Sequence, residues 1–279
     1  MTAKEIPSPS FPPLDHACKR VFPFTLACPS FVYPAGYVDN VRRLAPFVDE
    51  IELLFFESRL TDSLPSRALI RELMQLARSC DITYHVHLPS DTCLGHTEAG
   101  VRRIAVDVLS EMIDRCAPLD PTTFTLHLVR DPSEPDIGRW QRHTLQSMQA
   151  LLKTGLASRR ISVENIDYEF ALALPVVEQL DLSVCMDMGH LMARGEDISA
   201  FFERWRERIT IAHLHGVDGT RDHLPLDRLS TERMATVMER LQCFHGVVSL
   251  EVFSVAALNA SMGHLQDRWT GLKAEGVCG

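Results

Sequence analysis

The residues able to do chemistry in this chain stand where apolar runs break off. Residues 184–190, Val-Cys-Met-Asp-Met-Gly-His, are such a run, ended by an acid, a glycine and a histidine. A buried strand has this appearance where it leaves a hydrophobic sheet and becomes a site. Side chains alternate along a strand, so Ser183, Cys185 and Asp187 share one face, and His190 follows in the turn after Gly189. Taken alone, the stretch fits equally well an Asp that caps the next helix beside an ordinary surface His. Repetition separates the two readings. Ile82-Thr-Tyr-His-Val-His-Leu-Pro carries His85 and His87 on one face, with His87 nearer the exit, and Phe124-Thr-Leu-His-Leu-Val carries His127 near its end. Ile161-Ser-Val-Glu-Asn delivers Glu164 with Asn165 behind it, Ile211-Ala-His-Leu-His-Gly delivers His213 and His215, and Val247-Val-Ser-Leu-Glu-Val-Phe delivers Glu251.

Each of these residues has a structural explanation by itself, since a strand His is often a hydrogen-bonded core residue and a buried Glu is often paired with an Arg. Six consecutive strands ending this way are different. Ionised carboxylates gathered at one end of an apolar sheet repel and desolvate one another at several kcal/mol each unless a cation sits among them. The pattern therefore predicts a metal site. Imidazole and carboxylate donors suit zinc, manganese or iron, and the missing cysteine ligands argue against a structural zinc knot, so the metal is expected to be catalytic.

The elements that must position these residues alternate along the chain. Strands are predicted at 24–28, 50–56, 82–88, 123–129, 161–166, 182–188, 209–215 and 246–253, and helices at 37–47, 66–80, 98–117, 138–154, 170–179, 197–208, 230–243 and 256–272. Such alternation calls for parallel strands with helical crossovers. The fold class is therefore α/β, and eight units match the roughly 250 residues of a closed (β/α)8 TIM barrel. An open doubly wound sheet fits less well, because it gathers its ligand groups at one switch point. Residues 1–23, with Pro7, Pro9, Pro12, Pro13 and Pro23, are expected to be an extended arm, and residues 24–279 a single barrel domain.

Length and composition agree: the chain has 279 residues and 46% hydrophobic content, enough for a large core. The apolar runs are strand-length and the N-terminus lacks a signal pattern, so neither a membrane span nor a targeting segment is expected. Eight cysteines without a C-x-x-C pair point to reduced thiols and a cytoplasmic protein. A formal net charge of −9 provides no field to attract a polyanion, so nucleic acid is disfavoured as a partner. Oligomeric state is not legible.

Glu164-Asn165, Asp187-Met-Gly-His190, His213-Leu-His-Gly and Leu250-Glu251 resemble the xylose-isomerase-like barrel superfamily, which contains sugar isomerases, epimerases and endonuclease IV-type nucleases. The resemblance implies that Glu164, Asp187, His213 and Glu251 hold one divalent metal. Members that cleave phosphodiesters add further histidines and hold two or three ions; the matching positions are His87, His127, His190 and His223. Arg221-Asp222-His223 departs from the nuclease order Asp-Arg-His, which counts against a third ion. Residues 29–46 and 48–58 further resemble cobamide-remodelling phosphodiesterases of the CbiR type, with Glu52 or Glu57 as part of the site. Those two alternate onto opposite faces, so at most one points into the barrel.

The resemblance thus implies a zinc- or manganese-dependent hydrolase that cuts the nucleotide loop of a cobamide and releases a cobinamide-type corrinoid. Glu164 would bridge two ions, Glu251 or Asp187 would take a proton from water, and His190 and His223 would hold the phosphate. Long loops at 89–97 and 130–138 would cover a bulky substrate, with Arg130, Trp140 and Tyr168 at the mouth. His85, His215, Arg130 and Tyr168 are the expected substrate-binding residues. The alternative is a divalent-metal sugar (phosphate) isomerase or epimerase, which needs only the four-residue core and a pair of acid-base groups.

Overall fold

Eight strand segments pair in parallel and close on themselves in the computed structural model, which describes residues 11–55, 64–131, 134–219 and 221–274. They are β1 (Thr25–Pro29), β2 (Glu50–Leu54), β3 (Thr83–His87), β4 (Phe124–Leu126), β5 (Ile161–Glu164), β6 (Ser183–Asp187), β7 (Ile209–Leu214) and β10 (Val247–Leu250). Closure is made by β1 pairing with β10, Thr25 beside Val247 and Ala27 beside Ser249. Between the strands run α1 (Tyr37–Leu44), α2 (Arg67–Cys80), α3 (Ala99–Cys116), α4 (Ile137–Leu151), α5 (Leu174–Gln179), α6 (Met188–Arg194), α7 (Ile198–Trp205) and α8 (Thr231–Gln242), and α9 (Val255–Ala274) follows β10. The protein is a (β/α)8 TIM barrel, as the alternation of segments required.

Short polar side chains start several of the helices: Ser66 accepts from Leu69 N, Asp136 from Arg139 N, Asp197 from Ser199 N and Ala200 N, and Ser230 from Arg233 N. Two elements depart from the expected pattern. Residues 188–194 form a helix directly after β6, so His190 lies in a first helical turn rather than in a loop. After β7 the chain makes an antiparallel hairpin, β8 (Gly216–Asp218) and β9 (Arg221–Leu224), outside the barrel. Among the described residues no helix is long and apolar enough to cross a membrane.

The core lies mainly between the barrel and its helices. Leu26, Ile51, Val86, Leu126, Val163, Val184, Leu214 and Leu250 from the strands are buried in one cluster with Leu44, Leu73, Leu109, Met148 and Leu258 from the helices. Each such side chain contributes about 1.5–3 kcal/mol relative to leaving it in water. Inside the barrel Ala27, Cys185, Ile211 and Val247 form a small apolar cluster. Much of the remaining lumen is polar. Ser249 on β10 donates to Glu52 Oε2 on β2 at 2.5 Å, a contact that crosses the inside of β1. Branched apolar residues usually dominate this space.

Candidate metal centre

Register places the acidic residues side by side at the C-terminal rim. Glu164 ends β5 beside Cys185, Asp187 ends β6 beside His213, and Glu251 follows β10 directly. Ligand atoms of Glu164, Asp187, His213 and Glu251 all lie within 4.8 Å of one another, and all four residues are buried. His213 Nδ1 is 3.3 Å from Glu251 Oε2, 3.5 Å from Glu164 Oε2 and 3.9 Å from Asp187 Oδ2. Asp187 Oδ1 accepts the His190 amide at 2.7 Å, capping α6, while Oδ2 has no hydrogen-bond partner. Glu251 Oε2 and His213 Nδ1 are likewise buried without one. Buried polar atoms left unsatisfied cost about 1–3 kcal/mol each, and here they converge on one point. This donor set fits a divalent cation.

Further histidines surround the four. His87 Nε2 lies 3.3 Å and His127 Nε2 3.1 Å from Glu164 Oε2, and His87, His127 and Glu164 form a second group of metal-ligand geometry. His87 Nδ1 donates to the Leu88 carbonyl at 2.9 Å, which leaves Nε2 to face the carboxylate. On the other side His190, His215 and His223 form a third group. His215 and His223 stack with ring centroids 4.2 Å apart, and His215 Nε2 is 3.2 Å from Asp187 Oδ1. His223 has φ +49°, a left-handed backbone that the hairpin imposes while its Nδ1 donates to the Glu251 carbonyl at 3.0 Å. A Cβ at Gly189 would overlap the His215 ring, so α6 reaches the rim only because this residue is glycine.

Charge at the rim is set by neighbours. Burial raises the carboxyl of Glu164, but the imidazoles of His127 and His213 outweigh it and hold it well below the ordinary range. Asp187 is lowered in the same manner, burial being outweighed by His215 and His190. Burial disfavours charge on His213 and His215, yet Cys185 and the carboxylates of Glu251, Glu164 and Glu52 raise the first, and Asp187 raises His215 to about 9. Burial lifts the Cys185 thiol far above its ordinary value, so the carboxylates rather than the thiol are the anionic donors.

Of the residues expected at the site, Glu164, Asp187, His213, Glu251, His87, His127, His190 and His223 come together. Other expectations need correction. His85 is fully buried below the rim, its Nδ1 at 2.7 Å from Glu50 Oε1, and does not reach the mouth. His215 is enclosed in the histidine trio and is also fully buried. Tyr168 and Trp140 are buried as well, the Tyr168 hydroxyl donating to the Leu128 carbonyl and the Trp140 indole to that of Val129. Arg130 is half-buried. Asp222 is exposed in the hairpin and is not in the His190, His215 and His223 group. Glu52 points into the barrel, whereas Glu57 lies outside the described residues. Glu50 was missed, although Glu-Ile-Glu-Leu alternates with period two in a strand whose residues are all buried, a signal for a polar lumen.

A family profile described as xylose isomerase-like TIM barrel matches residues 41–268. The chain belongs to this family. Among curated proteins nothing matches it. Solved structures similar to it include a D-tagatose 3-epimerase-like protein, 18% identical with TM-score 0.76, covering 91% of this chain and all of that one. An L-ribulose 3-epimerase is 15% identical with TM-score 0.68, covering 92% of this chain and 98% of that one. A probable 3-DHS dehydratase AsbF from Bacillus anthracis, involved in petrobactin synthesis, is 13% identical with TM-score 0.68, covering 87% and 99%. Identities this low demonstrate a shared fold. The neighbours are sugar epimerases and a dehydratase, and they overturn the expectation of a phosphodiesterase that opens the nucleotide loop of a cobamide. The hydrolase and corrinoid assignments fall with it.

Proposed function

We infer that the protein is a divalent-metal-dependent sugar isomerase or epimerase, acting on a ketose or ketose phosphate. The observation that carries this reading is the convergence of two carboxylates from different strands, Glu164 and Glu251, on one four-donor centre at the barrel mouth. The epimerase neighbours of the fold support the sugar chemistry. Glu164, Asp187, His213 and Glu251 would hold the ion, and their mixed oxygen and nitrogen donors suit zinc or manganese. When bound, such an ion supplies Lewis-acid polarisation of a sugar carbonyl.

The residues do the rest. One of the two glutamates removes the proton from the carbon beside the carbonyl, and the C–H electron pair shifts toward the carbonyl group. The other gives its proton to the opposite face of that carbon for epimerisation; for isomerisation the proton goes to the former carbonyl carbon, while the hydroxyl proton of the first carbon passes to the former carbonyl oxygen. His190 and His223, both half-buried at the rim, are placed to hydrogen-bond sugar hydroxyls. With a formal net charge of −9, polynucleotide substrates are not part of this reading.

The test is to load the protein with manganese or zinc and incubate it with a panel of ketoses and ketose phosphates in heavy water. Deuterium at the carbon beside the carbonyl is expected, together with a new epimer or isomer, and Glu164→Gln or Glu251→Gln should lower the rate by about 10²–10⁴-fold. A duplex carrying an abasic site should stay uncut by the same preparation. Metal-loaded protein that exchanges no carbon-bound hydrogen in any ketose, or that incises the duplex, would end this reading.

A further inference from the structure

Beneath the rim lies a second charged layer that the sugar chemistry does not use. Glu50, Glu52 and His85 are fully buried in the lumen, as is His213 above them. Glu50 is tied down by Thr83 at 2.5 Å, by Thr122 at 2.7 Å and by His85 Nδ1 at 2.7 Å. The other nitrogen of His85 lies 3.6 Å from Glu52 Oε2, the oxygen that accepts from Ser249. Glu52 Oε1 then faces His213 Nε2 at 3.8 Å, and neither atom has a hydrogen-bond partner. Four side chains thus run in file down the barrel axis, Glu50, His85, Glu52, His213, alternating carboxylate and imidazole.

The His213 ring is bipolar in this arrangement. Nδ1 faces Glu164, Asp187 and Glu251, while Nε2 faces Glu52 alone among the carboxylates of the described residues. A histidine that binds a metal through one nitrogen commonly presents the other to a carboxylate, which fixes the ring and its tautomer and increases the basicity of the ligating nitrogen. We propose that Glu52, anchored by Ser249 and backed by His85 and Glu50, is a positioning residue that holds His213 with Nδ1 turned to the metal. A buried carboxylate kept only to fill the lumen would be a costly choice beside an apolar residue of similar volume. Glu52 stands instead where the His213 nitrogen turned away from the centre needs an acceptor. The proposal rests on the metal site and not on the sugar reaction.

Cobalt(II) is the probe, titrated into chelator-treated protein without substrate, with affinity read by chelator competition and ligand geometry by the visible band. Glu52→Gln is expected to weaken cobalt binding by about 10–100-fold and to shift the band, while the circular dichroism of the metal-free protein stays that of the wild type. Ser249→Ala keeps the charge of Glu52 and removes its anchor, so it should weaken binding several-fold; this variant decides the matter if Glu52→Gln does not fold. Wild-type affinity and an unshifted band in the folded variants would overturn the proposal, as would a wild-type chain that takes up no cobalt. Loss of affinity in the variants beside a wild type that turns over no ketose would leave Glu52 in its role and remove only the functional reading.

Discussion

Along β3, Tyr84 turns outward and its hydroxyl donates to the Leu73 carbonyl of α2, whereas Thr83, His85 and His87 turn inward to Glu50, Glu52 and Glu164. The same division runs round the barrel. The outer face of the wall meets the helices through aliphatic and aromatic side chains, and it supplies the stability. The inner face carries acids, imidazoles and hydroxyls, and it supplies the chemistry. Apart from Thr83 at the start of the strand, both faces of β3 are buried, so burial alone does not distinguish them; what differs is that the outer side chains are satisfied by contact and the inner ones by charge and hydrogen bonding.

The strongest test of this division is a cavity on the outer face. Leu109 on α3 is fully buried, and Leu109→Ala should cost about 2–5 kcal/mol in urea unfolding while metal content, measured by elemental analysis, stays at the wild-type level. Metal loss in that variant, at a temperature where it is folded, would mean that the two faces are not independent.

The inner face should instead respond to pH. Burial raises the Glu52 carboxyl, but His213 and His85 override it and hold it at about 2, against an ordinary 4.5. Burial disfavours charge on His85, yet Glu50 and Glu52 raise it to about 9, against an ordinary 6.5. The Glu52 contribution is complete above pH 4.5 and lost as pH falls toward 2. The His85 contribution is complete below pH 6.5 and lost as pH rises through 9. Chelator-treated protein should therefore be most stable between pH 4.5 and 6.5, as followed by denaturant midpoints. A flat midpoint from acid to alkaline buffer would contradict the charged lumen.

The smallest effect on stability is expected at the mouth. His127 is half-buried, so His127→Ala should leave the melting temperature close to that of the wild type and remove part of the bound metal. Loss of all of it would make His127 a support of the four-donor centre, and full retention would limit the site to those four.

Much of this division could be read in the chain itself. Glu164, Asp187, His213 and Glu251 each interrupt an apolar run at its C-terminal end, and eight such runs alternating with helices leave a parallel barrel as the natural arrangement. The lower charged layer was harder to see, because the alternation of Glu50 and Glu52 with Ile51 and Leu53 reads equally as a strand with one face in water until closure of the barrel buries both faces. Helix α6 has seven residues, too few for a helical period to emerge. Trp140 and Tyr168 looked like parts of a mouth, but the two rings pack together 5.6 Å apart and donate to the Val129 and Leu128 carbonyls, buried. The substrate was misjudged because the reading followed the additional histidines, whereas the four-residue core is common to the phosphodiesterase and the sugar isomerase readings.

The overlap between any side chain at position 189 and the ring of His215 has a bearing on inheritance. Position 189 admits one amino acid out of twenty for as long as the imidazole stays where it is. A lineage that replaced His215 by a small residue would release that restriction, and one that first lost the glycine would have to give up the imidazole. The two positions are thus bound to vary as a pair, although they lie 26 residues apart in the chain.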